Sequence, residues 1–242
     1  RYKFKNIHFA DDIFTADKKW LARFLEIYRK EINIPFRCLT HPNFMNEEVA
    51  KMLSEAGCEA IVIGIQSLNE KTKKDILHRY ETNATVEKAL ESCKKYNLKV
   101  HLDHIVGLPG ETEKDLIDAC RFYIKHKPHR FTYYYLSYFP NTDIINISNL
   151  EKDKIEKINN GLEPMYLIGG STQTKTTKNF EIMFKLVPIL PRKVSSFLLE
   201  KKLYRSFRFL PISFLLDIIT FLKTHEYRGF DYIRYYLKNM FY

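Results

Sequence analysis

Two glycines follow an apolar run in the segment Gly107-Leu108-Pro109-Gly110. Glycine has no Cβ, so its backbone can turn sharply and approach a flat ligand closely. The main chain of this segment could therefore hydrogen-bond an adenine-like ring, and Pro109 would stiffen the turn. An ordinary strand-to-helix turn would have the same sequence, so the pattern leaves both interpretations open.

Polar side chains follow the other apolar runs of the first 140 residues. Carboxylate and amide oxygens at such positions can accept hydrogen bonds from the hydroxyls of a sugar. These positions are Asp11-Asp12, Thr40-His41, Gln66-Ser67 and Tyr138.

The histidines do not form a metal site in this pattern. His101 and His104 are three residues apart on a predicted strand, so their side chains point to opposite faces. His41 lies at a strand end and could contact a substrate, although Pro42 equally suggests a turn. We predict no metal ligand among them.

The four cysteines are also widely separated, with no CxxC spacing. They match neither a zinc nor a ferredoxin pattern, and they do not suggest a disulfide framework. We expect buried, reduced thiols in a cytoplasmic protein. The cysteines are Cys38, Cys58, Cys93 and Cys120.

Apolar strands alternate with amphipathic helices through the first 140 residues. The predicted strands are Phe4–Ala10, Pro35–Thr40, Glu59–Ile65, Lys99–Val106 and Phe131–Tyr138. The predicted helices are Asp17–Glu31, Asn46–Ala56, 69–78, 83–96 and a helix from the capping box at Thr112 to about residue 126.

This alternation predicts an α/β fold with a parallel sheet. A doubly wound open sheet and a TIM-like barrel both fit the pattern. No GxGxxG follows the first strand, which disfavours a dinucleotide-binding sheet. In either architecture, ligands bind at the carboxyl ends of the strands, where the polar residues and glycines stand.

Residues 141–242 differ from the first 140 in composition. We predict a polar stretch at 141–161, a linker at Gly169–Lys178, and short helices rich in Phe, Tyr, Leu and Lys from Pro188 onward. Residues 151–242 contain 16 Lys and Arg against 9 Asp and Glu. That excess suggests either a solvated surface or contact with a nucleic acid or an anionic membrane. The run Phe209–Leu222 is too short to span a bilayer.

Four motifs of the first 140 residues resemble the radical S-adenosylmethionine (radical SAM) superfamily in order and spacing. The pattern is most similar to its cobalamin-associated and methylthiotransferase-like branches. The motifs are FADDIFT (Phe9–Thr15), EAGCEAIVIGIQSLNEKT (Glu55–Thr72), LHRYETNATVEKAL (Leu77–Leu90) and HIVGLPGETEKDL (His104–Leu116).

The resemblance implies a partial TIM-like (β/α)6 barrel over residues 1–140, lacking its first strand, and a mostly helical region over 141–242. It also implies an enzyme that uses SAM, a [4Fe–4S] cluster and, in some relatives, cobalamin. Electron transfer from the cluster would cleave SAM to methionine and a 5′-deoxyadenosyl radical, which abstracts hydrogen. An electron donor such as a flavodoxin or ferredoxin would be required.

The resemblance also assigns residues to parts of SAM. Gln66 and Ser67 match the polar pair at the ribose or methionyl end. Arg79 matches an arginine that pairs with the methionyl carboxylate, for which a bidentate guanidinium is suited. The remaining matches are Asp12 facing the site, with Asp11 as its alternate, and Asp103, Ile105, Gly107 and Gly110 on the adenine side.

One feature of the family is missing. Its cluster ligands follow the pattern CxxxCxxC after the first barrel strand, and no cysteine here has that spacing. Phe4–Ala10 matches the family's second strand, so we expect the ligands upstream of Arg1 and the fragment alone to be inactive. Two other interpretations remain: a methylthiotransferase acting on RNA or protein, and a scaffold that has lost the cluster.

Overall fold

Five strands of the chain form one sheet; residues 4–162, 172–210 and 212–224 are described by a computed structural model. Strands that are consecutive in sequence are neighbours in the sheet. The strands are β1 (Ile7–Phe9), β2 (Phe36–Thr40), β3 (Cys58–Gln66), β4 (Lys99–Val106) and β5 (Arg130–Tyr135).

The strands run parallel, which confirms the α/β prediction. β1 to β4 pair in parallel registers, for example Ile61 with Val100. Between β4 and β5, the His129 N–H donates to the Val100 carbonyl, and the Leu136 N–H donates to the Val106 carbonyl. The residue numbers of the paired residues increase in the same direction on both strands, as parallel pairing requires.

Helices connect the strands and make up the described region after β5. They are α1 (Lys18–Glu31), α2 (Glu47–Glu55), α3 (Glu70–Asp75), α4 (Asn83–Lys95), α5 (Glu113–His126), α6 (Asp143–Ile147), α7 (Lys152–Asn159), α8 (Lys175–Leu186), α9 (Arg192–Glu200) and α10 (Ser213–Thr224), with 3-10 turns at Pro42–Phe44 and Leu203–Phe209. Side chains cap many of these helices, including the predicted capping box of Thr112 and Asp115.

Four predicted boundaries are wrong. β1 begins at Ile7 rather than at Phe4. The linker predicted to reach Lys178 ends earlier, because Thr174 and Thr177 form a capping box that starts α8 at Lys175; residues 169–171 lie outside the described residues. β5 stops at Tyr135 rather than Tyr138, since its partner β4 ends at Val106. The helix predicted over 69–78 ends at Asp75.

The chain divides into two compact units. The first comprises the described residues up to Gln66, Tyr80–His104 and Pro128–Thr132; the second comprises Ser67–Arg79, Ile105–Lys127 and the described residues from Tyr133 onward. The predicted division at residue 140 stays a prediction.

Aromatic rings and aliphatic side chains form the core of the first unit. The rings of Phe9 and Phe14 stack with centroids 4.7 Å apart, and Phe36 packs edge-on against Tyr28. Ile61, Ile63 and Ile65 of β3 are fully buried. A strand buried on both faces is typical of parallel sheets covered by helices.

The second unit has its own core and its own polar ties. Leu108, Leu136, Tyr138, Ile145 and Ile158 form one buried cluster. The carboxylate of Glu113, in the first turn of α5, accepts hydrogen bonds from the Tyr204 hydroxyl and the Arg205 guanidinium. These bonds fix the 3-10 turn at Leu203–Phe209 onto α5. Within the described residues, no helix is long and apolar enough to cross a membrane.

Candidate ligand site at the strand ends

The last residue of β3 has an unusual backbone conformation. Gln66 has a φ of 64°, in the left-handed region that residues other than glycine seldom adopt. The β3–β4 register also shifts there: Gly64 pairs with Asp103, and Gln66, two residues later, pairs with His104. A bulge of this kind redirects a side chain, and backbone strain of this kind is concentrated at functional sites.

The side-chain amide of Gln66 is partly buried without its full set of hydrogen bonds. Its Oε1 atom is inaccessible to solvent and has no donor within the described residues. Leaving a buried acceptor unpaired costs about 1–3 kcal/mol. A ligand hydroxyl or ammonium group that donated to this oxygen would recover that energy.

Asp103 on β4 pairs with Gly64, beside this bulge and three residues before the end of β4, so in the first unit Gln66 and Asp103 lie on neighbouring strands. Asp103 is half-buried. His101 and His104 on the same strand are both buried. Burial lowers the pKa of His104 to about 3, so its imidazole is neutral at physiological pH.

Asp12 occupies the turn after β1 and is exposed, as is its alternate Asp11. At the end of β2, His41 Nδ1 accepts from the Asn43 N–H, and Nε2 lies 3.3 Å from the buried carboxylate of Glu81. Both imidazole nitrogens are thus engaged. This arrangement favours a structural role for His41 over substrate contact.

In the second unit, the turn after β4 has the backbone that the glycine pattern predicts. Gly107 and Gly110 have φ values of 77° and 76°, which side-chain-bearing residues rarely adopt. A Cβ added to Gly107 would lie 2.4 Å from Cβ of Thr172, whereas one added to Gly110 would meet open space. Thr172 therefore covers Gly107, and the backbone of Gly110 is the open part of this turn.

Glu111 was not among the predicted site residues, yet it holds this turn together. Its carboxylate accepts the Gly107 N–H at 2.7 Å. Burial, opposed by this bond and reinforced by the nearby charge of Asp115, raises the pKa of Glu111 to about 7. The sequence signal was its position next to Gly110 in the turn, where a carboxylate can reach back to the main chain.

The other predicted residues of the second unit are held by local bonds. Ser67 is buried, and its hydroxyl accepts the Asn69 N–H. Arg79 is half-buried, and its backbone N–H donates to the backbone carbonyl of Lys73. Ile105 is half-buried against the cluster around Leu108. The roles predicted for these three residues toward SAM stay predictions.

The tyrosines of β5 contact α8 within the second unit. The Tyr133 hydroxyl donates to the Thr177 carbonyl, and the Tyr135 hydroxyl donates to the carboxylate of Glu181. The Tyr133 ring packs edge-on against Phe184 with centroids 5.3 Å apart. These contacts are packing contacts rather than an open stacking surface.

The described residues do not fit an iron–sulfur cluster. All four cysteines are free and buried on separate elements. Burial raises the pKa of Cys93 to about 12 and that of Cys120 well above its ordinary value, which disfavours the thiolate that ligation needs. No group of three or more His, Cys, Asp or Glu residues in this part of the chain could hold a metal ion.

Comparison with known proteins relates the chain to one superfamily. The sequence pattern described as Radical SAM superfamily matches residues 1–123. An uncharacterized methyltransferase of Pyrococcus horikoshii is 30% identical over 122 residues, which cover 50% of this chain and 26% of that protein. The heme chaperone HemW of Haemophilus influenzae is 31% identical over 135 residues, covering 54% and 34%. The chain thus spans about a quarter to a third of these relatives.

Solved structures show the same fold. The cobalamin- and [4Fe–4S]-bound radical SAM methyltransferase TsrM from Kitasatospora setae has a TM-score of 0.52 at 17% identity, covering 58% of this chain and 29% of its own. Coproporphyrinogen III oxidase HemN from Escherichia coli, a radical SAM enzyme, has a TM-score of 0.53 at 15% identity, covering 81% and 40%. At such identities the likeness concerns the fold alone.

Proposed function

The chain belongs to the radical SAM superfamily, and we propose that it is the SAM-binding part of a radical SAM enzyme. The observation that supports this most strongly is Gln66. Its amide oxygen is buried without a donor in the described residues, at a bulged strand end where parallel sheets bind ligands.

SAM matches the hydrogen-bonding groups of the first unit. Its ribose offers two hydroxyl donors, and Gln66 offers an amide oxygen that lacks one. Asp103, opposite Gly64 on the neighbouring strand, offers a half-buried carboxylate. We assign the ribose hydroxyls to these two residues, which moves Asp103 from the adenine side, where the resemblance placed it, to the ribose. When bound, SAM supplies the adenosyl group from which this superfamily generates its 5′-deoxyadenosyl radical.

In the second unit, Gly110 presents the open backbone of the turn after β4. We propose that this main chain hydrogen-bonds the adenine, with Glu111 fixing the turn through the Gly107 N–H. Arg79 is proposed for the methionyl carboxylate, Ser67 for the same end, and Asp12 for the face of the site after β1. Each of these roles is proposed for its residue separately, from the motif that the residue matches.

We do not propose that the described residues bind the [4Fe–4S] cluster, because their cysteines do not fit it. We further propose that the enzyme transfers a methyl group and uses cobalamin. These two proposals are supported by the Pyrococcus horikoshii relative, named a methyltransferase, and by TsrM, which was solved with cobalamin. Methylthiolation of RNA or protein, a flavodoxin or ferredoxin donor, and an anionic partner of the basic C-terminal third likewise stay proposals.

Calorimetric titration of the complete gene product with SAM tests the proposed site. Gln66→Ala should weaken binding about three- to tenfold, the loss expected for one neutral hydrogen bond. Glu59→Gln is the matched control, since Glu59 is an exposed residue near the other end of β3. Unchanged affinity in Gln66→Ala would remove Gln66 from the site.

A further inference from the structure

Gly64 lies two residues before Gln66 on β3, and its backbone does not require glycine. It is not among the glycines with a positive φ, in contrast to Gly57 just before the strand, whose φ is 87°. Glycine inside a strand weakens it, because it has no side chain to pack and loses more conformational freedom on folding. A reason other than backbone conformation must therefore account for glycine here.

The space beside Gly64 is occupied by the amide of Gln66. A Cβ at position 64 would lie 2.7 Å from Gln66 Nε2 and 3.7 Å from Gln66 Cδ. In the described part of the chain, no other non-neighbouring heavy atom lies within 4 Å of that Cβ position. The side chain of Gln66 thus folds back along its own strand into the volume that any other residue at 64 would fill.

The bulge and the glycine together determine where the amide points. The register shift and the φ of 64° at Gln66 turn its side chain back toward Gly64. Without a Cβ at 64, the amide can rest against the strand with its Oε1 buried and without a donor. A methyl group at 64 would displace the amide from this position.

We propose that Gly64 is a positioning residue for SAM, acting through Gln66. The inference rests on the proposed function, because it assumes that the Gln66 amide accepts a hydrogen bond from the ribose. Gly64 itself would contribute to SAM affinity through no direct contact with SAM. Its contribution is the empty volume that lets Gln66 adopt the binding conformation.

A double-mutant cycle in the complete gene product tests this inference. SAM affinity is measured by calorimetry for wild type, Gly64→Ala, Gln66→Ala and the double variant. We expect Gly64→Ala and Gln66→Ala each to weaken binding about three- to tenfold, and the double variant to bind like Gln66→Ala alone, because interacting residues are not additive.

Urea unfolding of the same variants separates positioning from a structural role. Gly64→Ala should leave the unfolding midpoint unchanged or raise it, since alanine restricts the unfolded chain. Gly57→Ala is the matched control: its positive φ should lower the midpoint, while SAM affinity should stay unchanged. A Gly64→Ala protein that binds SAM more weakly without unfolding earlier supports the inference.

The outcomes distinguish the inference from the function on which it rests. Wild-type affinity in Gln66→Ala would overturn both the role of Gly64 and the assignment of Gln66 to the ribose, whereas a complete gene product that bound no SAM would overturn the proposed function itself. Weakened binding in Gln66→Ala with wild-type affinity in Gly64→Ala would overturn only the role of Gly64. Losses that multiply in the double variant would show that Gly64 acts independently of Gln66 and would also overturn it.

Discussion

Replacing the buried carboxyl of Glu111 by an amide should make the protein more stable at alkaline pH. Glu111 accepts the Gly107 N–H at 2.7 Å, and the amide oxygen of glutamine can accept the same bond. The change Glu111→Gln therefore removes the ionisation and keeps the turn. Asp115, Tyr123 and Tyr133 are the titratable groups that interact with this carboxyl.

The magnitude follows from the raised pKa. A carboxyl whose pKa rises from 4.5 to about 7 is harder to ionise in the fold than in the unfolded chain. Its neutral form stabilises the fold below pH 4.5, and this stability is lost as pH rises through about 7. The full difference would be roughly 3 kcal/mol. Since the side chain is only partly removed from water, we expect on the order of 2 kcal/mol.

Urea unfolding followed by circular dichroism at several pH values measures this difference. Glu111→Gln should gain stability over wild type between about pH 5 and pH 8, following the titration of the carboxyl. Glu113→Gln is a matched control of opposite sign, because hydrogen bonds from Arg205 and Tyr204 lower the pKa of Glu113. It should lose stability at pH 8, by less than about 1 kcal/mol at this partly exposed site. An advantage of Glu111→Gln that did not change with pH would refute the burial argument.

Three further predictions concern SAM, the turn and the cluster. Arg79→Lys should weaken SAM binding in the complete gene product about ten- to a hundredfold. The control Arg121→Lys, which alters an exposed ion pair, should leave SAM affinity unchanged. If Arg79→Lys bound SAM as tightly as wild type, Arg79 would lie outside the site. Gly107→Val should lower the urea midpoint, because its Cβ would lie 2.4 Å from Thr172; an unchanged midpoint would contradict this packing. Anaerobic reconstitution of residues 1–242 should yield no stoichiometric [4Fe–4S] absorbance, and a full cluster abolished by replacing the four cysteines would contradict the assignment.

The order of strands and helices could be predicted from hydrophobic periodicity, because each element has an apolar face with its own period. The glycines at 107 and 110 also predicted a sharp turn, and the structure gives both of them a positive φ. Sequence could not show that Gln66 adopts φ 64° or that its amide lies against Gly64, because both depend on the β3–β4 register. The role of Glu111 could not be predicted from the sequence, because a glutamate beside a glycine turn usually faces solvent.

Reductive cleavage of SAM by the complete gene product is the most direct test of the central claim. The protein is reconstituted anaerobically with iron and sulfide, reduced, and incubated with SAM, and the products are separated by liquid chromatography. Membership of the radical SAM superfamily predicts 5′-deoxyadenosine and methionine, in amounts that fall in the Gln66→Ala variant at limiting SAM. Formation of neither product by a reduced, cluster-containing protein would contradict the account.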